Sequence, residues 1–203
     1  MNSHQVAELQ FWRNTFHSYP TEEAYCAARR HNLKEYSAFV PEIYQESGNG
    51  LDLACGLVSV FDQFESPANI WAVDELLDEY DRVFCRFKGN SGVHYQREDG
   101  ENLARFSDGF FDFIWCFNAI DHTPNPILMA NDVRRILKPG GRLYFYVNFD
   151  LPPLAPAHYA LWDQRRVDEH LSDGFHLMRA TICWSVTWSK YIYVALYERE
   201  AGR

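Results

Sequence analysis

The sequence contains few cysteines for its length, and they are widely separated. Five cysteines occur among 203 residues, at Cys26, Cys55, Cys85, Cys116 and Cys183, with no C-x-x-C pair. An odd, scattered set argues against a disulfide framework and against a cysteine-based zinc site. We therefore expect a reducing compartment and no bound metal.

The sequence also lacks a long apolar run. No stretch approaches the ~18 apolar residues of a membrane-spanning helix. The amino-terminal segment carries Glu8 and Arg13 and has no apolar core like that of a signal peptide. The expectation is a soluble, cytoplasmic protein with no membrane partner.

Basic residues are in the minority and form no cluster. The 19 lysines and arginines are outnumbered by 28 acidic residues, which gives a formal net charge of −9. A phosphate backbone would be repelled overall, so nucleic acid is not expected as a partner. A small-molecule substrate is the more natural expectation.

The apolar residues that are present favour a single α/β domain. Hydrophobic residues make up 47% of the chain, enough to bury a sizeable core. Residues 1–47 have helical periodicity, with a break at Tyr19-Pro20 and an interruption at Pro41. We interpret residues 1–47 as a helical lid and residues 48–203 as an α/β core.

Within residues 48–203, strand and helix patterns alternate. Apolar runs predict strands at 51–54, 69–73, 93–97, 111–117 and 142–149, with helices at 57–64, 76–87 and 126–137. Lys138-Pro139-Gly140-Gly141 is expected to end the last of these helices and turn the chain. This alternation predicts a doubly wound, mostly parallel sheet.

The carboxyl-terminal part has a different pattern. Residues 159–171 are expected to be helical, with Gly174 as a stop. Two β-rich runs follow at 177–186 and 191–198, separated only by a short polar segment. They should form an antiparallel strand pair.

The first predicted strand leads into Asp52-Leu53-Ala54-Cys55-Gly56, and Asp74 ends the next strand. Small residues in such a turn let backbone amides approach a ligand, and an acid at the second strand can accept hydrogen bonds from ribose hydroxyls. Ordinary strand–turn–helix packing or a helix-capping Asp74 would explain the same residues. The pattern alone leaves these alternatives open.

Three further segments narrow the choice. Asp99–Leu103 follows the third strand, Phe117–His122 follows the fourth, and Arg134–Gly141 precedes the fifth. Together with Leu51–Gly56, these segments resemble the class I S-adenosylmethionine-dependent methyltransferases. The resemblance implies a Rossmann-like sheet of seven strands, mostly parallel, with the last strand antiparallel.

The resemblance also implies the residues that bind S-adenosylmethionine. The methionine part is expected beside the first loop, at Asp52, Ala54, Cys55 and Gly56, and beside Phe117 and Asn118. The ribose is expected at Asp74 and its neighbour Glu75, and the adenine at Asp99, Gly100 and Glu101. Ala54 and Val58 stand where the family loop has glycines, and Ser59 is a further candidate for the cofactor carboxylate.

The reaction expected from the resemblance is methyl transfer to oxygen or nitrogen of a small molecule. A hydroxyl acceptor would need a general base, for which the candidates are Asp121, His122 and His158. His122 is equally well explained as a residue that orders its loop. Aromatic residues of the amino-terminal helices are candidates for a lid over the acceptor: Trp12, Phe16, Tyr19, Tyr25 and Tyr36.

Two other functions fit the same residues. The fold could bind S-adenosylmethionine without transferring its methyl group, or the chain could be a non-catalytic scaffold or partner subunit. Cofactor binding and turnover distinguish these possibilities. The acceptor and the oligomeric state are not encoded in any motif that we recognise.

Overall fold

A computed structural model shows one mixed sheet of seven strands with helices on both faces. The structure describes residues 1–63, 68–83, 92–149, 155–185 and 189–201. The strands are β1 (Asn49–Leu53), β2 (Asn69–Val73), β3 (His94–Gln96), β4 (Phe111–Phe117), β5 (Leu137–Phe149), β6 (Phe175–Ser185) and β7 (Lys190–Arg199). Their order in the sheet is β3-β2-β1-β4-β5-β7-β6.

The pairing of the strands confirms the predicted architecture. β1 to β5 pair in parallel, so their carboxyl ends lie at one edge of the sheet. β7 pairs antiparallel with both β5 and β6. The sheet therefore has a parallel body and an antiparallel carboxyl-terminal pair.

In the part of the chain that the structure describes, five α-helices accompany the sheet. They are α1 (Ser3–His17), α2 (Glu22–Ser37), α3 (Leu77–Val83), α4 (Pro126–Ile136) and α5 (Gln164–Leu171). Thr21 caps α2 by accepting a hydrogen bond from the Ala24 amide, as its position after Pro20 predicts. Every helix in the described part of the chain is too short or too polar to cross a membrane.

The central strands are buried on both faces because their apolar residues alternate between two cores. Ile114 and Cys116 of β4 belong to the core under α4 and α5, whereas Phe113 and Trp115 belong to the core that includes Tyr36 of α2 and Ile43. A strand covered on both sides needs a nearly continuous apolar run, which FDFIWCF supplies.

Several predicted boundaries differ from the structure. The helix predicted at 159–171 begins only at Gln164, because the Asp163 side chain accepts a hydrogen bond from the Arg166 amide and sets the helix start there. The helix predicted at 57–64 is a short 3-10 turn over Val60–Gln63. Parts of three predicted elements, residues 64, 84–87 and 186, lie outside the described residues.

The prediction that residues 138–141 form a separate turn after the helix was also wrong. α4 ends at Ile136, but the chain continues directly as β5 from Leu137. The pairing of β4 with β5 is irregular between Phe111 and Phe113, and Gly140 has a φ of 76°. Proline and two glycines therefore form an irregular start of the strand instead of a separate turn.

Candidate active site

The carboxyl ends of the parallel strands border a cavity of about 700 Å³. β1, β2 and β4 end side by side there, at Leu53, Val73 and Phe117. Open α/β sheets bind ligands beyond these ends, and small-molecule sites commonly measure about 300–1,000 Å³. Apart from Ser59, the residues that the sequence predicts for the cofactor all border this cavity: Asp52, Ala54, Cys55, Gly56, Asp74, Glu75, Asp99, Gly100, Glu101, Phe117 and Asn118.

The loop after β1 turns sharply at the cavity wall. Ala54 has a φ of 55° and Gly56 a φ of 67°, both in the left-handed region. A Cβ atom at position 56 would lie 3.0 Å from Cζ2 of Trp12. The loop thus needs glycine at position 56 for two reasons, its backbone conformation and the ring above it.

Two residues of this loop point into the protein and not into the cavity. Ser59 is fully buried, and its hydroxyl donates to Oδ2 of Asp52 at 2.6 Å. Burial raises the pKa of Asp52 to about 6, against the lowering effect of Ser59. Val58 is buried and does not adopt a positive φ, so it has no need of glycine's freedom. Asp52 and Ser59 therefore hold the loop in shape.

Two acidic residues after β2, Asp74 and Glu75, form hydrogen bonds with the loop after β1 and with helix α1. Asp74 Oδ2 accepts from the Gly56 amide at 3.0 Å, and Oδ1 accepts from the Leu76 amide at 2.9 Å. Burial raises the pKa of Asp74 to about 7, outweighing these hydrogen bonds. Glu75 accepts a hydrogen bond from Nε2 of Gln5 in α1 at 2.6 Å.

The segment after β3 forms a tight turn. Asp99 Oδ1 accepts from the Glu101 amide at 2.9 Å, and a Cβ atom on Gly100 would clash with Cε of Met129. Glu101 accepts a hydrogen bond from the hydroxyl of Thr123 and one from the Asn125 amide at 2.7 Å. Glu101 thus links the loops that follow β3 and β4 at the rim of the cavity.

The segment after β4 combines an aromatic stack with a strained backbone. Phe117 stacks between Trp115 and Tyr146, with ring centroids 3.6 and 5.0 Å away. Asn118 has a φ of 53°, and its amide donates to the Tyr146 carbonyl at 2.9 Å. Its buried Oδ1 accepts no hydrogen bond from the described residues.

The three predicted catalytic residues lie together and form what we call the His–Asp cluster: Asp121, His122 and His158. Asp121 Oδ2 lies 3.6 Å from Nδ1 of His158 and 3.9 Å from Nε2 of His122. Both histidines border the cavity, while Asp121 lies behind them with 1% of its surface exposed.

A fourth titratable residue, Glu8 of α1, contacts this cluster. Its Oε2 lies 3.0 Å from Nδ1 of His122, and its Oε1 accepts from Nε1 of Trp12 at 2.5 Å. Burial lowers the pKa of His122, but the carboxylates of Asp121 and Glu8 outweigh it and raise that pKa to about 9. In the metal-free protein, His122 is therefore protonated at neutral pH.

Helix α1 covers the cavity through polar side chains. Asn2, Gln5, Glu8 and Trp12 all border it. Asn2 Nδ2 also donates to the Tyr159 hydroxyl at 3.1 Å. Among the described residues, α1 contributes none to the buried core, so these polar contacts and a few partly buried apolar ones hold it in place.

The aromatic residues predicted as a lid divide into two groups. Trp12 and Tyr36 border the cavity. Tyr25 is buried at 1% exposure, and Phe16 and Tyr19 pack against the same core. Only Trp12 and Tyr36 are thus placed to contact a ligand.

Comparison with known proteins identifies the domain that carries this cavity. A family model described as a methyltransferase domain matches residues 51–145, which span β1 to the middle of β5. The chain therefore contains a methyltransferase domain. Its cofactor is accordingly S-adenosylmethionine.

Individual relatives agree with this assignment. The methyltransferase is 27% identical over 189 residues to a mouse thiol S-methyltransferase named TMT1B, covering 88% of this chain and 78% of that protein. The rat protein of the same name matches at 28% identity over 55% of its length.

Solved structures share the fold. The PH0226 protein of Pyrococcus horikoshii superposes with a TM-score of 0.65 at 20% identity, covering 84% of this chain and 91% of that one. A Haemonchus contortus phosphoethanolamine N-methyltransferase, solved with S-adenosyl-L-methionine, gives a TM-score of 0.60 at 12% identity. The match covers 83% of this chain and 53% of that structure.

The residues of the methyltransferase fit its cofactor. A buried amide oxygen on Asn118, which has no hydrogen-bond partner among the described residues, belongs to a residue that borders the cavity. The small residues of the loop at Ala54–Gly56 border the cavity, and carboxylates at Asp74 and Glu75 border the same space. These oxygen atoms can accept hydrogen bonds from the hydroxyl and amine groups of S-adenosylmethionine, and the carboxylates attract its positively charged sulfonium group.

Sequence reasoning missed Gln5 and Glu8 as site residues. Their partners, Glu75 and His122, lie far away along the chain. A usable signal does exist, since Asn2, Gln5, Glu8 and Trp12 follow helical spacing and form one polar stripe. That stripe predicts a shared face but not what it covers.

Proposed function

We propose that this enzyme transfers the methyl group of S-adenosylmethionine to a small molecule bound in the far half of the cavity. One observation supports this most directly. The cavity extends beyond the predicted cofactor residues to side chains of β5, Tyr146 and Asn148. The acceptor thus has a place beside the cofactor within a single cavity.

The cofactor's orientation follows from the side chains available along the cavity. Asp74 and Glu75 would accept hydrogen bonds from the ribose hydroxyls, and Asp99 would meet the adenine amino group. Ala54, Cys55, Gly56 and Asn118 would surround the methionine part. When bound, the cofactor supplies an electrophilic methyl carbon on a sulfonium sulfur, and the protein orients it and excludes water.

We further propose that residues 1–47 act as a lid over a core formed by residues 48–203, the whole being one methyltransferase domain. Helix α1 supports this through Gln5, which contacts Glu75, and Glu8, which contacts His122. Both partners border the cavity. A lid held by polar contacts can open for exchange of cofactor and product.

The acceptor is proposed to be small because the cavity is roofed by α1. Aromatic rings on the acceptor side, Tyr36, Phe117 and Tyr146, favour a flat or apolar body. The family resemblance of the sequence implies hydroxyl or amine acceptors. The thiol S-methyltransferases among the relatives are a reason to test thiols as well.

The experiment is a turnover screen. Purified protein is incubated with S-adenosylmethionine and panels of aryl and alkyl thiols, phenols and amines, and S-adenosylhomocysteine and the methylated product are quantified by mass spectrometry. We expect stoichiometric amounts of both products with at least one panel. The Asp74→Ala variant should lose turnover, while Asp173→Ala, an exposed acid outside the cavity, should retain it. Absence of product from all panels would count against a small-molecule acceptor of these classes.

A further inference from the structure

Hydrogen bonds between Asp121 and the two histidines do not account for the arrangement of the His–Asp cluster. Asp121 Oδ2 lies 3.6 Å from His158 Nδ1 and 3.9 Å from His122 Nε2. Both distances exceed those of hydrogen bonds between nitrogen and oxygen. One ligand atom from each of the three residues can nevertheless be chosen so that all lie within 4.8 Å of one another.

The carboxylate at the centre of the cluster is buried without a donor. Asp121 is 1% exposed, and neither of its oxygens accepts a hydrogen bond from any described residue. A buried carboxylate normally has a hydrogen-bond donor, a cation or a metal beside it, because an unpaired buried charge is costly. Asp121 therefore needs a cation in the space that it shares with the two histidines, and a protonated imidazole or a metal ion bound by all three residues would supply it.

The outer contact of His122 is the one that a metal-binding histidine usually makes. Its Nδ1 lies 3.0 Å from Oε2 of Glu8, without the alignment of a regular hydrogen bond. If Nδ1 keeps a proton beside that carboxylate and Nε2 loses its own, Nε2 presents a lone pair on the side of Asp121. Histidines that bind metals commonly present their other ring nitrogen to a carboxylate in this way, which fixes the tautomer and orients the ring.

We propose that Asp121, His122 and His158 bind one divalent transition-metal ion of the Zn²⁺ type. Two imidazoles and a carboxylate form a ligand set suited to this ion. Ligand bonds of 2.0–2.2 Å place neighbouring ligand atoms about 3.4 Å apart in a tetrahedral site. The observed distances of 3.6 and 3.9 Å need only a small contraction to reach that value.

The expectation of no metal rested on the absence of paired cysteines and missed this set. Asp121 and His122 lie in the loop after β4, whereas His158 comes from the segment before α5. The Tyr159 amide donates to the Asp121 carbonyl at 2.9 Å, which brings the two segments together. The contact is tertiary, and no spacing in the sequence indicates it.

The site would leave a fourth position directed at the cavity, since both histidines border it and Asp121 lies behind them. This role rests on the proposed function. A thiol or hydroxyl of the acceptor would bind there and lose its proton to solvent. Its lone pair would form the new bond to the methyl carbon while the bond from that carbon to the sulfonium sulfur breaks, leaving S-adenosylhomocysteine uncharged at sulfur.

The test is calorimetric titration of Zn²⁺ into protein from which the purification tag has been cleaved and metal removed with a chelator. We expect one ion per chain for the wild type. His158→Ala and Asp121→Asn should weaken binding by more than about 100-fold, beyond the 10–100-fold that loss of an outer contact costs. Glu8→Gln should fall in that smaller range. His176→Ala, an exposed histidine on β6, is the matched control and should bind as the wild type does.

The absorption spectrum of the wild type with Co²⁺ decides the matter independently of any variant that fails to fold. Stoichiometric visible bands from a four- or five-coordinate ion support the site. Absence of stoichiometric Zn²⁺ and Co²⁺ binding overturns it and leaves an ion pair between Asp121 and protonated His122. Affinity for S-adenosylmethionine is measured on the same metal-free protein, so that failure of the metal site and failure of the proposed function are told apart.

Discussion

Two non-glycine residues in the cavity wall adopt left-handed backbone conformations. Ala54 follows β1 and Asn118 follows β4, with φ values of 55° and 53°. Such conformations cost a residue with a side chain about 1–2 kcal/mol, and they often occur at functional sites. The sequence showed that alanine replaces a family glycine, but only the structure shows that the glycine conformation is kept.

Replacing Ala54 by glycine should therefore stabilise the protein. Relief of the left-handed strain outweighs the greater entropy of glycine in the unfolded chain, so we expect the free energy of unfolding to rise by about 0.5–1 kcal/mol. The matched control is Ala27→Gly in α2, an exposed helical position, which should lower it by about 1 kcal/mol. Chemical denaturation measures both, and equal losses in the two variants would contradict the strain at Ala54.

The raised pKa of Asp74, about 7 and caused mainly by burial, predicts that cofactor affinity depends on pH. Ionised Asp74 accepts the ribose hydroxyls better than the protonated acid does, so affinity for S-adenosylmethionine should increase from pH 6 to pH 8. Stability of the free protein has the opposite dependence. A carboxyl whose pKa is raised by folding favours the folded state at acid pH, and that contribution declines as pH rises towards 7.

Calorimetric titrations at several pH values check this prediction. Glu8 on α1 and the neighbouring Glu75 also face Asp74, so the matched variant is Asp74→Asn, which leaves both in place. The variant should bind more weakly and lose most of the pH dependence between 6 and 8. An unchanged profile in Asp74→Asn would assign the dependence to another group.

At the scale of elements, the sequence predicted every strand of the sheet. The apolar runs of β2 and β4 were predicted with the bounds that the structure shows. A strand buried on both faces is defined by its own residues, which explains this success. Boundaries set by a single side chain, such as the Asp163 cap of α5, or by pairing, such as the irregular start of β5, were not predictable from periodicity.

The position of helix α1 over the cavity was the feature of the fold that the sequence predicted least well. Its helical pattern and its cap at Asn2 are local, but its position over the cavity depends on contacts with Glu75, His122 and Tyr159. The exposure of Val6 and Phe11, 50% and 42%, shows that its apolar residues do not form one buried face. The periodicity of the helix therefore could not indicate what it packs against.

Helix α1 should be the part of the protein most protected by the cofactor. Because it has no residue in the described core, its amides should exchange with solvent faster than those of β4 and β5 in the free enzyme. Saturating S-adenosylmethionine should slow exchange in α1 at least several-fold and leave β6 unchanged. Hydrogen exchange with mass spectrometry measures both segments, and equal protection of α1 with and without cofactor would contradict its role as a lid.

At the scale of the whole molecule, the cavity carries the acidic character of the chain. Glu8, Asp74, Glu75, Glu98 and Asp99 all border it, in a protein of net charge −9. S-Adenosylmethionine carries a positive sulfonium, so the field of the protein favours the cofactor over its uncharged product at that position. This difference assists release of S-adenosylhomocysteine after transfer.

Cofactor binding should stabilise the whole fold. A ligand that binds only the folded state at 100 times its dissociation constant adds about 2.7 kcal/mol. For a chain of this size we expect the thermal midpoint to rise by about 5–10 °C. Differential scanning fluorimetry with S-adenosylmethionine measures this shift, which should be absent for Asp74→Ala and present for Asp173→Ala. A shift of equal size in all three proteins would indicate binding outside the proposed site.

Calorimetric titration of the wild type, Asp74→Ala and Asp173→Ala with S-adenosylmethionine tests the cofactor site directly. We expect one cofactor per chain with micromolar affinity for the wild type and for Asp173→Ala, and binding lost or sharply weakened in Asp74→Ala. If the wild type fails to bind, or if Asp74→Ala binds as tightly as the wild type, the cavity beyond β1 and β2 is not the cofactor site.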